Sequence, residues 1–259
     1  YGPGGLNVTY NIFSVTKSYI STLIGQGIDQ GLVPTSSTTL NNVFEFDFGQ
    51  PYLSQITLEN VLTMSTGYTD FYGYPYWVQQ PTQNLVFMPY TQPGFFFYNN
   101  SACHLNSHIL YESTGLTPKE FAEENLFPYL GIENPQWLDG YLNINDASAS
   151  LELRLRDMIK LGQLYLQEGW SGEEQILSSE WVNEATSVHM ETISAIPGYG
   201  YLWWLPSGQG YMAIGYGGQY IAVYPERGLV IGAHSSINND QFYISQLREY
   251  IHNHIAPIF

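Results

Sequence analysis

The chain has 259 residues, 44% of them hydrophobic and 12% charged, so it can bury a substantial core and is not a disordered protein. Asp and Glu number 23 against 7 Lys and Arg; this net charge of −16, with no basic stripe, argues against nucleic acid and anionic membranes as partners. A single cysteine excludes an internal disulfide framework, and no apolar run is long enough to span a membrane.

The first predicted elements are the end of a strand over residues 6–12 and a helix from about Ser14 to Gln30, stopped by Gly31. Ser14 and Lys17 occupy positions i and i+3, which places hydroxyl and amine within hydrogen-bond reach. A serine becomes a good nucleophile when an adjacent base takes its proton, and a neutral lysine can be that base. The spacing therefore predicts a nucleophile and its base, and the alternative is that Ser14 is only an N-cap.

The middle of the chain is predicted to be mostly helical. Residues 68–97 are rich in aromatic residues and interrupted by Pro and Gly, which predicts an irregular wall facing a substrate. Cys103 falls in an apolar helical pattern and is expected in the core. Residues 141–150 are mostly small and predict a loop. The predicted helices cover residues 57–64 (ended by Gly67), 102–113, 118–127, 151–167 and 179–187.

The end of the chain changes to strands. Runs at 201–205, 211–214, 219–224 and 229–234 are joined by short turns, which predicts an antiparallel meander, and residues 241–254 predict a closing helix. We expect an α+β fold, in which an antiparallel sheet built from both chain ends is flanked by helices and carries an inserted all-helical lobe. The expected single catalytic domain, 1–259, has a sheet-containing lobe (1–33 and 170–259) and a helical lobe (34–169).

Three features occur in order along the chain: Ser14-Val15-Thr16-Lys17 at a helix start, Tyr98-Asn99-Asn100 at a turn, and residues 213–220 leading a late strand. Together they resemble the serine β-lactamase and penicillin-binding-protein superfamily, and most of all its class C-like branch of esterases and nylon-oligomer hydrolases. The resemblance covers most of the chain, since it extends to residues 62–67, 93–100, 126–132, 156–166 and 198–204.

The resemblance implies a serine hydrolase that works through an acyl-enzyme, with no cofactor and no metal. Ser14 would be the nucleophile and Lys17 its proton acceptor, while Tyr98 would share the proton shuttle. Asn100 would orient Lys17 or a substrate amide, and the backbone N–H groups of Ser14 and Tyr216 would form an oxyanion hole. Without the resemblance, Tyr98 would be one aromatic residue among 22 tyrosines.

The implied substrate is a small ester or amide with a neutral acyl group. Gly215 and Gly217 would let it approach the backbone closely, although the same glycines could mark only a strand bulge. The aromatic walls expected around the acyl group are Trp203, Trp204, Tyr72 and Tyr74.

The sequence departs from the family pattern in two places. The third motif, Ala213-Ile214-Gly215, stands where β-lactamases and peptidases carry Lys-Thr-Gly or a histidine version, so the side chains that bind a substrate carboxylate are missing and little β-lactamase activity is expected. Relatives also place two strands before the serine, whereas 13 residues precede Ser14. Either the chain is a fragment that lacks N-terminal strands, or its sheet is short of strands.

Three alternatives stay open. His104 and His108 are four residues apart on a predicted helix, a spacing that can bind zinc, but no third ligand is evident. The chain could be a penicillin-binding DD-peptidase or a β-lactamase-type enzyme, or a catalytically dead relative that only binds a glycan or polymer. Abundant Tyr, Asn, Ser and Thr with few charges favours an extracytoplasmic or secreted protein, and composition leaves the compartment and the oligomeric state open.

Overall fold

The first α-helix lies at the centre of the fold. The computed structural model describes residues 7–44, 51–69, 73, 75–88, 91–208, 210–235 and 241–259. Helix α1 spans Thr16–Asp29, and each of its residues from Thr16 to Gly27 is buried. Its predicted end is confirmed, because Gln30 is the C-cap and Gly31 follows with a φ of +70°. A helix that is buried on all sides must be covered by other elements, and α1 is therefore the core helix of the molecule.

Five helices follow among the described residues in the middle of the chain, and α1 packs against the last two of them. They are α2 (Leu40–Val43), α3 (Leu58–Leu62), α4 (Thr82–Val86), α5 (Asn100–Thr114) and α6 (Pro118–Asn125). Helices α3 and α6 begin with capping boxes at Thr57 and Thr117, which satisfy N–H groups of their first turns. The prediction that Gly67 ends α3 is wrong, since the helix stops at Leu62 and Met64 already has a φ of +57°.

The late strands form one antiparallel meander, as predicted. The strands are β5 (Met190–Glu191), β6 (Gly198–Tyr199), β7 (Trp204–Leu205), β8 (Tyr211–Ile214), β9 (Tyr220–Tyr224) and β10 (Leu229–Ala233). Their order in the sheet is β10-β9-β8-β7-β6-β5, so each strand pairs with its neighbour in sequence.

The strand before Ser14 does not join that sheet, so the expectation of one sheet built from both chain ends is wrong for the described residues. Strand β1 (Thr9–Asn11) pairs antiparallel with β2 (Glu152–Arg154) in a separate two-stranded sheet. Residues 152–154, predicted as the start of a helix, are extended because they form this pair, and helix α7 (Leu155–Leu166) begins directly after them. A further short hairpin joins β3 (Trp170–Ser171) to β4 (Glu174–Gln175).

Helices cover both faces of the meander. Helix α7 packs on β9 and β10, where an added Cβ on Gly162 would lie 2.5 Å from Ile221 Cγ2 and one on Gly232 would overlap Ile159 Cγ2. The opposite face is covered by residues after the sheet, which include α9 (Gln241–Tyr250) and the π-helical turn Ile251–Ile255. Helix α8 (Ser179–Ala185) reaches α1 through Trp181. The apolar cluster under the C-terminal segment comprises Ile196, Met212, Tyr220, Ala222, Tyr224, Ile251 and Ala256.

The α+β architecture agrees with the expected fold class, while the division into two lobes stays a prediction. Helix α7 falls in the range assigned to the helical lobe, yet it packs on the sheet. Within the described ranges, no helix combines the length and apolar character needed to cross a membrane.

Candidate active site

Ser14 lies in a tight turn that joins β1 to α1. The turn is a 3₁₀ helix, Phe13–Val15, in which Ser14 is partly exposed and Val15 is buried. Phe13 has a φ of +48°, in the left-handed region that residues other than glycine rarely adopt, and its N–H donates to Asn11 Oδ1 at 2.6 Å. Strained backbone of this kind clusters at functional sites. The turn holds Ser14 at the positive end of α1, where negative charge that develops on a substrate is stabilised.

Lys17 is buried, with 1% of its surface exposed, and lies one turn after Ser14. Its Nζ donates to Ser14 Oγ at 3.0 Å and to the carbonyl oxygen of Ser148 at 2.6 Å. In the part of the chain that the structure describes, no carboxylate lies within ion-pair distance of this amine. The hydrogen bond that the spacing predicts is present, and an amine in this position can take the serine proton when it is neutral.

Tyr98 forms a wall beside Lys17. The side chain of the next residue, Asn99, accepts a backbone N–H from the first turn of α5 at 2.8 Å, which fixes the backbone at this turn. Lys17 Nζ lies 5.0 Å from the centroid of the Tyr98 ring, within the range of a cation–π interaction. Trp204 stacks on the same ring with centroids 5.7 Å apart. Tyr98 is therefore held in contact with the amine that it is predicted to assist.

A glycine-rich turn after β8 packs directly against the Ser14 turn. An added Cβ on Gly215 would lie 2.7 Å from the carbonyl oxygen of Ile12 and 2.6 Å from Gln219 Oε1, so a larger residue would push the two segments apart. Among the described residues, the backbone N–H groups of Ser14 and Tyr216 have no hydrogen-bond partner. Two unpaired N–H groups on adjacent segments can form an oxyanion hole.

A cavity of about 310 Å³ opens over these groups. Much of the cavity wall is aromatic, and Ile214 at the end of strand β8 contributes an aliphatic surface. One cation, Arg248 of α9, also reaches it, with its side chain 19% exposed. The lining residues are Ser14, Tyr98, Ser194, Ala195, Ile196, Trp204, Ile214, Gly215, Tyr216, Tyr220, Ser245 and Arg248.

The two adjacent tryptophans have different positions. Trp204 lines the cavity, whereas Trp203 is fully buried and packs against Tyr165 and Tyr211 in the core. Consecutive side chains in extended backbone point to opposite faces, so only one of the two can face a substrate. The predicted substrate contact of Trp203 is therefore wrong.

The other residues predicted to act at the site are Asn100, Gly217, Tyr72 and Tyr74. Asn100 begins α5, and its Oδ1 is buried with no hydrogen-bond partner among the described residues, so its orienting role stays a prediction. Gly217 lies inside the glycine turn, where its N–H donates to Gln219 Oε1 at 3.0 Å, and it is not among the residues that line the cavity. Tyr72 and Tyr74 lie outside the described residues.

Sequence reasoning missed two groups at this site. The Ser148 carbonyl that accepts from Lys17 is a backbone atom, and no side-chain pattern marks it. The sequence did contain one signal near this carbonyl, because Asp146 is the sole charged residue in 141–150. In the structure Asp146 is fully buried. Arg248 is one of 7 basic residues, but the sequence does not reveal which side of the last helix faces the cavity.

His104 and His108 form a buried pair with ring centroids 4.9 Å apart. His104 Nδ1 accepts the Ala147 N–H at 3.3 Å, and His108 Nδ1 pairs with Thr82 Oγ1 at 2.8 Å. Burial lowers the pKa of His104 to about 3, so its ring is neutral. Cys103 is buried as expected, and burial raises the pKa of its thiol to about 12. The described residues contain no cluster of three His, Cys, Asp or Glu side chains that could hold a metal.

Comparison with known proteins identifies relatives of the same fold. The family model described as Beta-lactamase matches residues 7–254. A Bacillus anthracis structure provisionally named 6-aminohexanoate-dimer hydrolase matches with a TM-score of 0.82 and 21% identity, over 99% of this chain and 76% of that one. A penicillin-binding protein from Bacillus halodurans matches with a TM-score of 0.74 and 18% identity, over 96% and 88%. An uncharacterized protein of Alkalihalophilus pseudofirmus is 22% identical over 93% of this chain and 78% of its own length.

We expect Gly215→Ala to lower kcat/KM for any acyl substrate by about 100-fold, because the added methyl group moves the Tyr216 N–H away from the oxyanion position. The measurement is steady-state hydrolysis of a p-nitrophenyl ester, with circular dichroism to verify folding. Gly172→Asn is the control, since Gly172 is exposed in the β3–β4 turn, an added Cβ there meets no described atom within 4 Å, and Asn tolerates its φ of +63°. Parent activity in Gly215→Ala would contradict the placement of the oxyanion hole.

Proposed function

Because the chain belongs to the beta-lactamase family, we propose that it hydrolyses small esters or amides through an acyl-enzyme formed on Ser14. The observation that carries the proposal is the 3.0 Å hydrogen bond between Lys17 Nζ and Ser14 Oγ inside an otherwise buried site. A lysine that is 1% exposed and has no carboxylate partner among the described residues is not a solubilising charge, and general-base catalysis explains its position.

In the acylation step, neutral Lys17 accepts the Oγ proton of Ser14 while Oγ attacks the carbonyl carbon of the substrate. The electron pair of the carbonyl moves onto its oxygen, and the N–H groups of Ser14 and Tyr216 bind that oxyanion. When the carbonyl re-forms, the bond to the alcohol or amine breaks and the leaving group takes the proton from Lys17, directly or through the Tyr98 phenol. The product is an ester between the acyl group and Ser14.

In the deacylation step, a water molecule replaces the leaving group. Neutral Lys17 accepts one proton of the water, directly or through the Tyr98 phenol, as the water oxygen attacks the acyl carbon. The oxyanion forms in the same hole; when it collapses, the bond to Oγ breaks, Lys17 returns the proton to Oγ, and Ser14 and a free carboxylic acid are released. The contact between Lys17 and the Tyr98 ring, 5.0 Å from amine to centroid, supports the sharing of this proton.

The walls of the cavity favour a neutral acyl group. Tyr98 and Trp204 offer stacked aromatic surface, and Ile214 occupies the place from which relatives reach a substrate carboxylate. Ala213, the other side chain of that motif, is 1% exposed and offers no polar group. An amide is a candidate substrate as well as an ester, because one protein of the same fold is provisionally named 6-aminohexanoate-dimer hydrolase.

A DD-peptidase or β-lactamase-type activity is the second candidate, and one observation favours it. Arg248 brings a guanidinium to the cavity from α9, and a guanidinium can bind a carboxylate. Arg248 lies on a different element from the third-motif strand. It therefore replaces at most one of the side chains that would bind a substrate carboxylate. The intact arrangement of Ser14, Lys17 and Tyr98 argues against the third candidate, a catalytically dead binding relative.

Lys17→Arg should lower kcat/KM for a p-nitrophenyl ester by about 10²–10⁴-fold, because a guanidinium keeps the positive charge but cannot accept a proton near neutral pH. Lys119→Arg is the matched control, since Lys119 is a partly exposed lysine on α6 that pairs with Glu123. If Lys17→Arg keeps a tenth of the parent rate, Lys17 acts only as a cation and the proposed mechanism is wrong.

A short p-nitrophenyl ester should be hydrolysed with a kcat/KM at least about tenfold above that of a chromogenic cephalosporin, because each lost charge-assisted hydrogen bond to the drug's carboxylate costs about 1.5–3 kcal/mol. Arg248→Gln should lower the cephalosporin rate further and leave the neutral ester within about threefold of the parent. Equal turnover of both substrates by the parent would show that the third motif does not set the substrate class.

A further inference from the structure

A second buried charge lies behind Lys17. Asp146 is fully buried, and its carboxylate accepts hydrogen bonds from the Ser148 N–H at 2.9 Å, the Ser148 hydroxyl at 2.6 Å, the Ala149 N–H at 3.1 Å and Trp77 Nε1 at 3.2 Å. Within the described residues, no Lys, Arg or His nitrogen is at ion-pair distance from it. A buried carboxylate without a cation is costly, and the four hydrogen-bond donors offset that cost.

One peptide group connects this carboxylate to Lys17. The peptide between Ser148 and Ala149 donates its N–H to Asp146 Oδ2 at 3.1 Å and accepts from Lys17 Nζ with its carbonyl oxygen at 2.6 Å. The negative charge lies at the positive end of the peptide dipole, and the amine lies at the negative end. Hydrogen bonds in such a chain polarise and strengthen one another.

The loop that carries this peptide is attached to the nucleophile turn. The Leu151 N–H donates to Thr16 Oγ1 at 3.2 Å, and the Ile12 N–H donates to the Leu151 carbonyl at 2.9 Å. Trp137 Nε1 holds the loop on its other side by donating to the Asp146 carbonyl at 2.7 Å. Any shift in the orientation of the Asp146 loop is therefore transmitted to the surroundings of Lys17.

We propose that Asp146 is a positioning residue for Lys17, acting through the Ser148–Ala149 peptide group; this rests on the proposed function of Lys17 as the base. Asp146 orients the carbonyl that holds Lys17 Nζ against Ser14 Oγ. Its negative charge, relayed by the peptide dipole in a buried site, also stabilises the positive charge that appears on Lys17 when it takes the serine proton. The simpler reading is an Asx turn that only stabilises the loop, and it predicts a different experimental result.

The test is a double-mutant cycle with Asp146→Asn and Lys17→Ala on an activated p-nitrophenyl ester. Asn has the same shape, but one oxygen becomes an NH₂ group that faces a donor, so the peptide loses its partner. In the parent background we expect kcat to fall by about 10–100-fold with KM changed by less than about threefold. In the Lys17→Ala background the same substitution should change the residual kcat by less than about threefold, because the group through which Asp146 acts is gone.

Ser148→Ala provides a second variant in case Asp146→Asn does not fold. It removes the hydroxyl that donates to Asp146 and accepts from Trp77, and it leaves the backbone carbonyl in place. We expect kcat to fall by about three- to tenfold in the parent background and to stay unchanged with Lys17→Ala. Asp29→Asn is the matched control and should keep the parent kcat, because Asp29 binds the N–H and hydroxyl of Ser178 in the same way, at 2.7 Å each, at the far end of α1.

The outcomes separate the two proposals. If Lys17→Ala keeps the activity of the parent, the proposed function itself is wrong. If Lys17→Ala is impaired and Asp146→Asn costs the same factor in both backgrounds, or costs nothing in the parent, the role of Asp146 in positioning Lys17 is overturned while the function of Lys17 stands.

Discussion

The buried amine of Lys17, held between the Ser14 hydroxyl and the Ser148 carbonyl, is the interaction on which the site depends. An amine removed from water needs fixed acceptors, and its two come from segments more than 130 residues apart in sequence. The burial of α1 keeps the amine away from water, and the hydrogen bonds between the Asp146 loop and the residues around Ser14 hold the two acceptors in place. The core helix and the reacting groups are thus parts of one arrangement.

The other groups reach Ser14 from two different parts of the fold. The meander supplies the turn at Gly215, which approaches the backbone before Ser14 so closely that only glycine fits. The helical region supplies Tyr98 at the capped start of α5, in contact with the amine and stacked on Trp204 of the sheet. Each element contributes one chemical function, and the cavity lies where the two regions meet over Ser14.

The sequence patterns correctly predicted those features that depend on residues close together in the chain. The spacing of Ser14 and Lys17, the end of α1 at Gln30, and the order of the meander all follow from short-range rules of helices, caps and turns. Long-range packing decides the rest: β1 pairs with β2, Trp203 turns into the core, and Arg248 reaches the cavity. The Ser148 carbonyl could not be predicted at all, because a backbone oxygen has no residue type.

The central claim, that Ser14 is a nucleophile activated by Lys17, is tested most directly by covalent trapping. The protein is incubated with a fluorophosphonate probe, and its intact mass and labelled peptide are measured by mass spectrometry. The account predicts one adduct per chain, located on Ser14, lost in Ser14→Ala and formed far more slowly in Lys17→Arg. An adduct on another residue, or equal labelling of the parent and Ser14→Ala, would contradict it.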